Sequence, residues 1–142
     1  MKIVGIKIIK NKIIKNTKGD IRKFINKKSE VYKKFGEIYF SFIKKNKIKG
    51  WNYHKKNTCL ISLVVGKVSF NFVDDRKYSK SYKSKNKITL NINKNNIILI
   101  PPKIWFCFKA INKDSILVNF LDNVHSKNET KKQKIENIKE IF

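Results

Sequence analysis

Apolar and β-branched residues gather in short runs along nearly the whole chain, at 2–9, 21–25, 37–43, 48–54, 59–65, 67–73, 87–92, 97–100, 104–110 and 115–121. Turn-type residues punctuate them: Lys18-Gly19-Asp20, Lys45-Asn46-Lys47, Gly66, Asp74-Asp75, the Asn-Lys-Asn-Asn run at 93–96, and Asn112-Lys113-Asp114. Strands this short and this evenly spaced predict an antiparallel sandwich or barrel. Pro101-Pro102 closes one run, and proline cannot donate to a ladder, so the pair marks a rim turn. The strand beyond it carries Trp105, Phe106 and Phe108, which either line a pocket mouth or pack as ordinary core. The Ser- and Lys-rich stretch 76–87 reads as a long exposed loop. Helical spacing emerges only near the end, where Ile135, Ile138 and Phe142 recur at intervals of three and four, predicting an amphipathic closing helix over 130–142.

Length and composition narrow this picture. A chain of 142 residues suits one domain, here a barrel over 1–130 with 131–142 as its C-terminal helix or tail, and 41% apolar residues suffice for a core. The net charge of +24 suggests nucleic acid or an anionic surface. Its make-up argues otherwise. Lys, at 32 residues, dwarfs two arginines, and with 23 Ile and 17 Asn it supplies half of the chain. All three have AT-rich codons, so mutational bias accounts for them together, whereas selection for phosphate and base contacts favours Arg. Nucleic acid is therefore expected to bind only nonspecifically.

Lys or Asn interrupts every apolar run far short of a membrane span, and the N-terminal stretch lacks a signal-peptide pattern. Cys59 and Cys107 make neither a disulfide framework nor a zinc spacing. A reduced, cytoplasmic protein is expected. A metal centre fails on arithmetic, since His54 and His125 are the only histidines and no carboxylate is suitably spaced from them. No phosphate loop, dinucleotide fingerprint or nucleophile elbow is present, and no cofactor is expected.

The order of segments carries more information. Lys18-Gly19-Asp20-Ile21-Arg22, Phe35-Gly36-Glu37-Ile38-Tyr39-Phe40-Ser41, Lys49-Gly50-Trp51-Asn52-Tyr53-His54-Lys55-Lys56, Gly66-Lys67-Val68 and Val73-Asp74-Asp75-Arg76 follow one another. Ile100-Pro101-Pro102-Lys103-Ile104-Trp105-Phe106-Cys107-Phe108-Lys109 and Asn119-Phe120-Leu121-Asp122-Asn123-Val124-His125 complete the set. Together they resemble the short dTDP-4-dehydrorhamnose 3,5-epimerase-like sugar-nucleotide cupins over roughly residues 1–130. The resemblance implies an all-β double-stranded β-helix (a cupin jelly roll), a homodimer, and a ligand inside the barrel. It implies proton transfer beside a 4-keto group, in surface polysaccharide synthesis, through an enolate held by nearby donors.

Several family positions are altered. The base His of the family matches Asn52, a second His matches Phe106, and the family's Lys falls near Cys59. The family's C-terminal Asp partner of the His has no match assigned in this chain. His54 offers a compensation, since residues i and i+2 of a strand share a face and His54 points where Asn52 points. It is then a displaced base, or a group that only hydrogen-bonds a sugar hydroxyl, or a half-buried strand histidine with no ligand role.

The candidate ligand-binding set is Arg22, Lys49, Asn52, His54, Phe106 and Phe108, with His54 as the candidate catalytic base. Arg22 is the phosphate candidate. Arg76 fits a local ion pair better than a phosphate contact. Cys59 and Cys107 suit the barrel interior. Trp51 and Trp105 suit the core or a dimer interface, with nucleobase stacking the alternative. Three functions compete: an epimerase or isomerase of a 4-keto-6-deoxy nucleotide sugar, a silent cupin that binds the same ligand, and a basic nucleic-acid binder.

Overall fold

The computed structural model describes residues 2–137, and nearly all regular structure in them is β. The strands are β1 (Lys7–Lys10), β2 (Ile13–Ile14), β3 (Ile21–Arg22), β4 (Glu37–Ile43), β5 (Ile48–His54) and β6 (Cys59–Val65). They continue with β7 (Lys67–Asp74), β8 (Lys85–Asn91), β9 (Asn96–Ile100), β10 (Ile104–Ala110), β11 (Ser115–Leu121) and β12 (Thr130–Lys132). Two five-stranded antiparallel sheets, ordered β1-β9-β6-β11-β4 and β12-β5-β10-β7-β8, face each other as the double-stranded β-helix, and β2 and β3 form a separate hairpin.

Alternation within each strand decides what lies between the sheets. Inward-facing Ile61, Leu63, Phe70, Phe72, Ile98, Ile104 and Leu117 fill the main core. The outer faces are covered as well. Trp51, Tyr53, Trp105 and Cys107 pack on the outside of the second sheet, under Ile135. Leu60, Ile97 and Phe120 on the outside of the first sheet lie beneath Phe24, Ile25, Val31 and Tyr32. Phe24 and Ile25 therefore leave the strand expected over 21–25 after two residues, because burying their side chains against that sheet outweighs continuing a hairpin.

Three further expectations are revised. The segment 130–142 does not begin as a helix: Thr130–Lys132 pairs with β5, Thr130 opposite His54, and Ile135–Asn137 is a single 3-10 turn. The remainder, 138–142, lies outside the described residues. The loop after β7 is polar but anchored. Asp74 accepts from Arg76 Nε and Nη2, both at 2.8 Å, and from Ser81 Oγ at 2.6 Å, so that Ser81 is 0% exposed. Arg76 also reaches the Val4 carbonyl at 2.6 Å, making the local ion pair expected of it. Finally, Cys59 is interior, but Cys107 sits on the outer face of the second sheet, since its strand neighbours Phe106 and Phe108 take the inward positions.

Gly36, at the entrance to β4, shows how closely the strand ends approach the β11 loop. A Cβ there would lie 2.4 Å from backbone atoms of Asn123. Backbone atoms cannot swing aside, so Gly36→Ala is expected to cost about 1–3 kcal/mol, read as a lowered midpoint in thermal unfolding. A midpoint equal to wild type would show that the Asn123 loop yields freely. Among the described residues no helix is long and apolar enough to cross a membrane.

Candidate active site

The core does not fill the whole space between the sheets. Towards the edges that carry β4 and β12 the interior opens into a cavity of about 570 Å³, large enough for a sugar with part of a nucleotide. One wall comes from the second sheet, where Asn52 and His54 of β5 lie beside Phe106 and Phe108 of β10. The register sets Asn52 opposite Phe106. The other wall comes from the first sheet, with Glu37, Tyr39 and Ser41 of β4 and Asn119 of β11. His125 and Lys132 stand at the mouth.

His54 is buried and tightly oriented. Its Nδ1 lies 2.7 Å from Glu129 Oε2, while Glu129 Oε1 accepts from the backbone N–H groups of Lys56 and Asn57, each at 3.0 Å. Burial opposes ionisation of Glu129, but those two N–H groups and the imidazole together hold its carboxyl below the ordinary glutamate range. An ionised carboxylate only accepts, so Nδ1 carries the proton and the lone pair of the neutral ring sits on Nε2. Phe106 stacks on the ring, with centroids 6.2 Å apart and planes within 16°. His125 stands edge-on to it, with ring centroids 6.5 Å apart. A histidine held in one tautomer by a carboxylate, with an apolar ring at its back, is the arrangement of a general base.

The opposite wall has its own pair. Asn119 Nδ2 donates to Tyr39 Oη at 2.6 Å, and Asn119 Oδ1 is buried without a partner among the described residues. Burial, reinforced by Cys59 and by the charge of Glu37, pushes the Tyr39 phenol up to about 12. The mouth is basic through Lys49 and Lys132, whereas the Lys131 ammonium lies over the Tyr53 ring, at 5.2 Å, on the outer face of the sheet.

Of the candidates read from sequence, Lys49, Asn52, His54, Phe106 and Phe108 meet in this one cavity. Arg22 does not line it. It sits on β3, its guanidinium donating to the Ile92 carbonyl and lying 3.7 Å from Asp20, which occupies its charge and donors locally. Trp51 and Trp105 belong to the outer cluster, away from the cavity. Both cysteines are free, and burial pushes their thiols up, Cys107 to about 12, so neither is a thiolate nucleophile. No group of metal-ligating side chains occurs among the described residues.

The model of the dTDP-4-dehydrorhamnose 3,5-epimerase family matches residues 1–139. The chain belongs to that family. Among solved structures, a dTDP sugar isomerase from Desulfovibrio desulfuricans G20 is 25% identical, with 93% of this chain and 85% of that one covered at a TM-score of 0.90. A dTDP-4-dehydrorhamnose 3,5-epimerase from Sulfolobus tokodaii is 23% identical over 98% and 82%, with a TM-score of 0.87. A dTDP-6-deoxy-D-glucose-3,5-epimerase from Legionella pneumophila, solved in complex with dTDP-4-keto-L-rhamnose, is 18% identical over 95% and 76%, with a TM-score of 0.85. Comparison with curated proteins found no match.

In this epimerase-family barrel the cavity is lined by a different set of side chains from the one the resemblance implies. Asn52 and Phe106 occupy positions where the resemblance places histidines, and both face the cavity. The carboxylate that partners the cavity histidine here is Glu129. No local pattern announces that residue, because it becomes a partner of His54 only when β12 pairs with β5 across 75 residues of sequence. Tyr39 and Asn119 stand in the quoted motifs, but no spacing rule joins them: they meet because β4 and β11 pair in the register Tyr39 opposite Asn119.

Proposed function

We propose that the protein binds a dTDP-linked 4-keto-6-deoxy sugar in this cavity and moves a proton at the carbon beside the ketone, with His54 as the base. The observation that carries this reading is the His54–Glu129 pair, buried, oriented and turned to the cavity. Phe106 and Phe108 give the sugar ring an apolar wall, Asn52 offers donor and acceptor to a hydroxyl, and Lys49 and Lys132 suit a diphosphate at the mouth. Support for the ligand class comes from family membership and from the Legionella pneumophila relative solved with dTDP-4-keto-L-rhamnose. A cytoplasmic location fits such a ligand. The test is incubation with a 4-keto-6-deoxy nucleotide sugar in deuterium oxide. Deuterium at a carbon flanking the ketone, followed by mass spectrometry and proton NMR, is the expected result, and its absence with ligand bound would exclude the chemistry.

A second reading, a silent cupin that binds the same ligand, is favoured by Asn52 and Phe106 alone. It predicts ligand-induced thermal stabilisation with no exchange.

The assembly we propose is a homodimer through β4. This edge strand shows Ile38, Phe40 and Phe42 on its outer face, the last two 58% and 69% exposed, and an uncovered apolar edge invites strand pairing. A second copy presents the same edge, which makes the contact self-complementary. The double variant Phe40→Lys, Phe42→Lys is expected to run as a monomer in light-scattering chromatography where wild type runs as a dimer. Equal masses for the two would refute this interface.

A further inference from the structure

We infer that Asp122 is a positioning residue for His54, acting through the 55–58 connection and Glu129 without touching the ring itself. The inference rests on the proton-transfer reading above for its catalytic consequence, whereas the orientation of the ring is a property of the protein without ligand.

The connection between β5 and β6 directs four successive backbone N–H groups at two acidic residues. The Lys55 N–H donates to the Glu129 carbonyl at 2.8 Å, and those of Lys56 and Asn57 donate to Glu129 Oε1, each at 3.0 Å. The fourth, from Thr58, donates to Asp122 Oδ1 at 3.0 Å. Glu129 meets His54 directly. Asp122 is buried behind it and does not line the cavity.

A side-chain link closes the set. Asn123 Nδ2 donates to Asn57 Oδ1 at 2.9 Å and to Asp122 Oδ1 at 3.3 Å. Asn57 is 0% exposed, and its Nδ2 has no partner among the described residues. A buried unpaired donor destabilises, and the chain carries this one where the same side chain ties the connection to Asn123.

The anchor of the set is the first sheet. Asp122 follows β11 directly, and Leu121 at the end of that strand pairs with Cys59 at the start of β6. Gly36 closes the rear. Its N–H donates to the Leu121 carbonyl at 2.9 Å, and its lack of a Cβ lets the Asn123 backbone approach. His54, the last residue of β5 in the second sheet, is thereby referenced to the first sheet as well as to β12.

Burial works against the Glu129 charge, and the Asn57 and Lys56 N–H groups do more than the imidazole to overcome it. Those two groups keep their aim while the next residue, Thr58, is held. Without Asp122 the Thr58 N–H becomes a buried donor lacking its acceptor, and the connection turns to find another. Glu129 then loses its hold, and the neutral ring of His54 samples both tautomers. A lone pair moved to Nδ1 faces Glu129 and not the cavity.

The two histidines serve as probes. With isotope-labelled histidine and nitrogen NMR, at a pH where imidazole is neutral and without ligand, wild-type His54 is expected as one tautomer, protonated at Nδ1. His125→Gln assigns its signals. Asp122→Ala is expected to populate both tautomers. With sugar nucleotide saturating, it is expected to lower deuterium exchange by about 10- to 100-fold, the scale of a misplaced reacting group, and to leave KM within about threefold. Asp122→Asn keeps an Oδ1 acceptor and is expected to restore the single tautomer and most of the exchange. A folded Asp122→Ala in which His54 stays a single Nδ1–H tautomer overturns the inference, and so does an Asp122→Asn as impaired as Asp122→Ala. If Asp122→Ala fails to fold, Asn123→Ala, which cuts the link to Asn57 and leaves the Thr58 bond, is read in the same way. Wild-type protein that exchanges no deuterium with ligand bound refutes the proton-transfer reading, and the tautomer spectra still decide the positioning of His54.

Discussion

His54→Gln is expected to lower deuterium exchange beside the ketone by roughly 10²- to 10⁴-fold, the usual contribution of a positioned acid–base group, while the sugar nucleotide still binds. Gln approximates the imidazole in size and still offers a donor towards Glu129, so the buried carboxylate keeps a partner and the barrel keeps its fold. What it lacks is a lone pair basic enough to take a proton from carbon. Glu129→Gln should behave differently in degree. The base survives there, but its tautomer is no longer dictated by an acceptor-only neighbour, and a loss of up to about 10⁴-fold is the range for a carboxylate-to-amide change beside a base histidine. Exchange measured by NMR with ligand saturating separates chemistry from binding. Wild-type exchange in His54→Gln would remove the histidine from the mechanism and assign the base to another group of the cavity.

The second large effect concerns stability. Asp74→Ala is expected to cost about 3–5 kcal/mol, the range for breaking a buried ion pair from one side, because it strands the Arg76 guanidinium and the Ser81 hydroxyl in a closed environment. A shift of roughly 10 °C or more in the unfolding midpoint corresponds to this for a domain of such size. Acid adds an independent check. Burial works against the Asp74 charge, but the hydrogen bonds from Arg76 and Ser81 overcome it and hold the carboxyl well below the usual carboxylate range. A depressed folded-state value stabilises fully above the unfolded value, at about pH 4, and is lost as pH falls through the folded one. The advantage of wild type over Asp74→Ala should therefore be constant near neutrality and shrink below about pH 4. The variant Asp74→Leu, Arg76→Met, which removes both charges, should recover much of the loss. A single-variant cost under about 1 kcal/mol would show that water reaches the guanidinium.

Much of this architecture is legible in the amino-acid sequence. Strands β4, β5, β6, β10 and β11 fall on the stretches that the apolar runs pick out, because each buries one or both faces and its sequence must show it. The same logic put Asn52 beside His54 on one face, and Phe106 beside Phe108. The misses share a cause. Thr130-Lys131-Lys132 carries no strand pattern, since it is extended only by hydrogen bonding to the edge of β5. Glu129 is one carboxylate in a polar stretch, and its meaning comes entirely from a partner far along the chain. Arg76 and Ser81 sit in a segment as polar as any exposed loop, and only the burial of Asp74 makes it a folded one. Arg22 is a phosphate candidate by resemblance alone, and the Ile92 carbonyl and Asp20 engage it locally. Pattern reveals what faces the core; it does not reveal which polar residues meet.

The pairing of β12 with β5 has an implication for how the molecule comes into being. Both sheets can close around the main core using β1 to β11, whereas the carboxylate that orients His54 stands immediately before the three-residue β12, which pairs with β5 at the edge of one sheet. During synthesis the barrel can thus be shut before its histidine is armed. In the mature protein, peeling so short a strand disturbs little of the core and costs less than global unfolding. Detachment takes Glu129 away from His54 and from the Lys56 and Asn57 amides together. Under the proposed chemistry the orientation of His54 thus rests on a short edge clasp, from Glu129 to Gln133, and not on the main core.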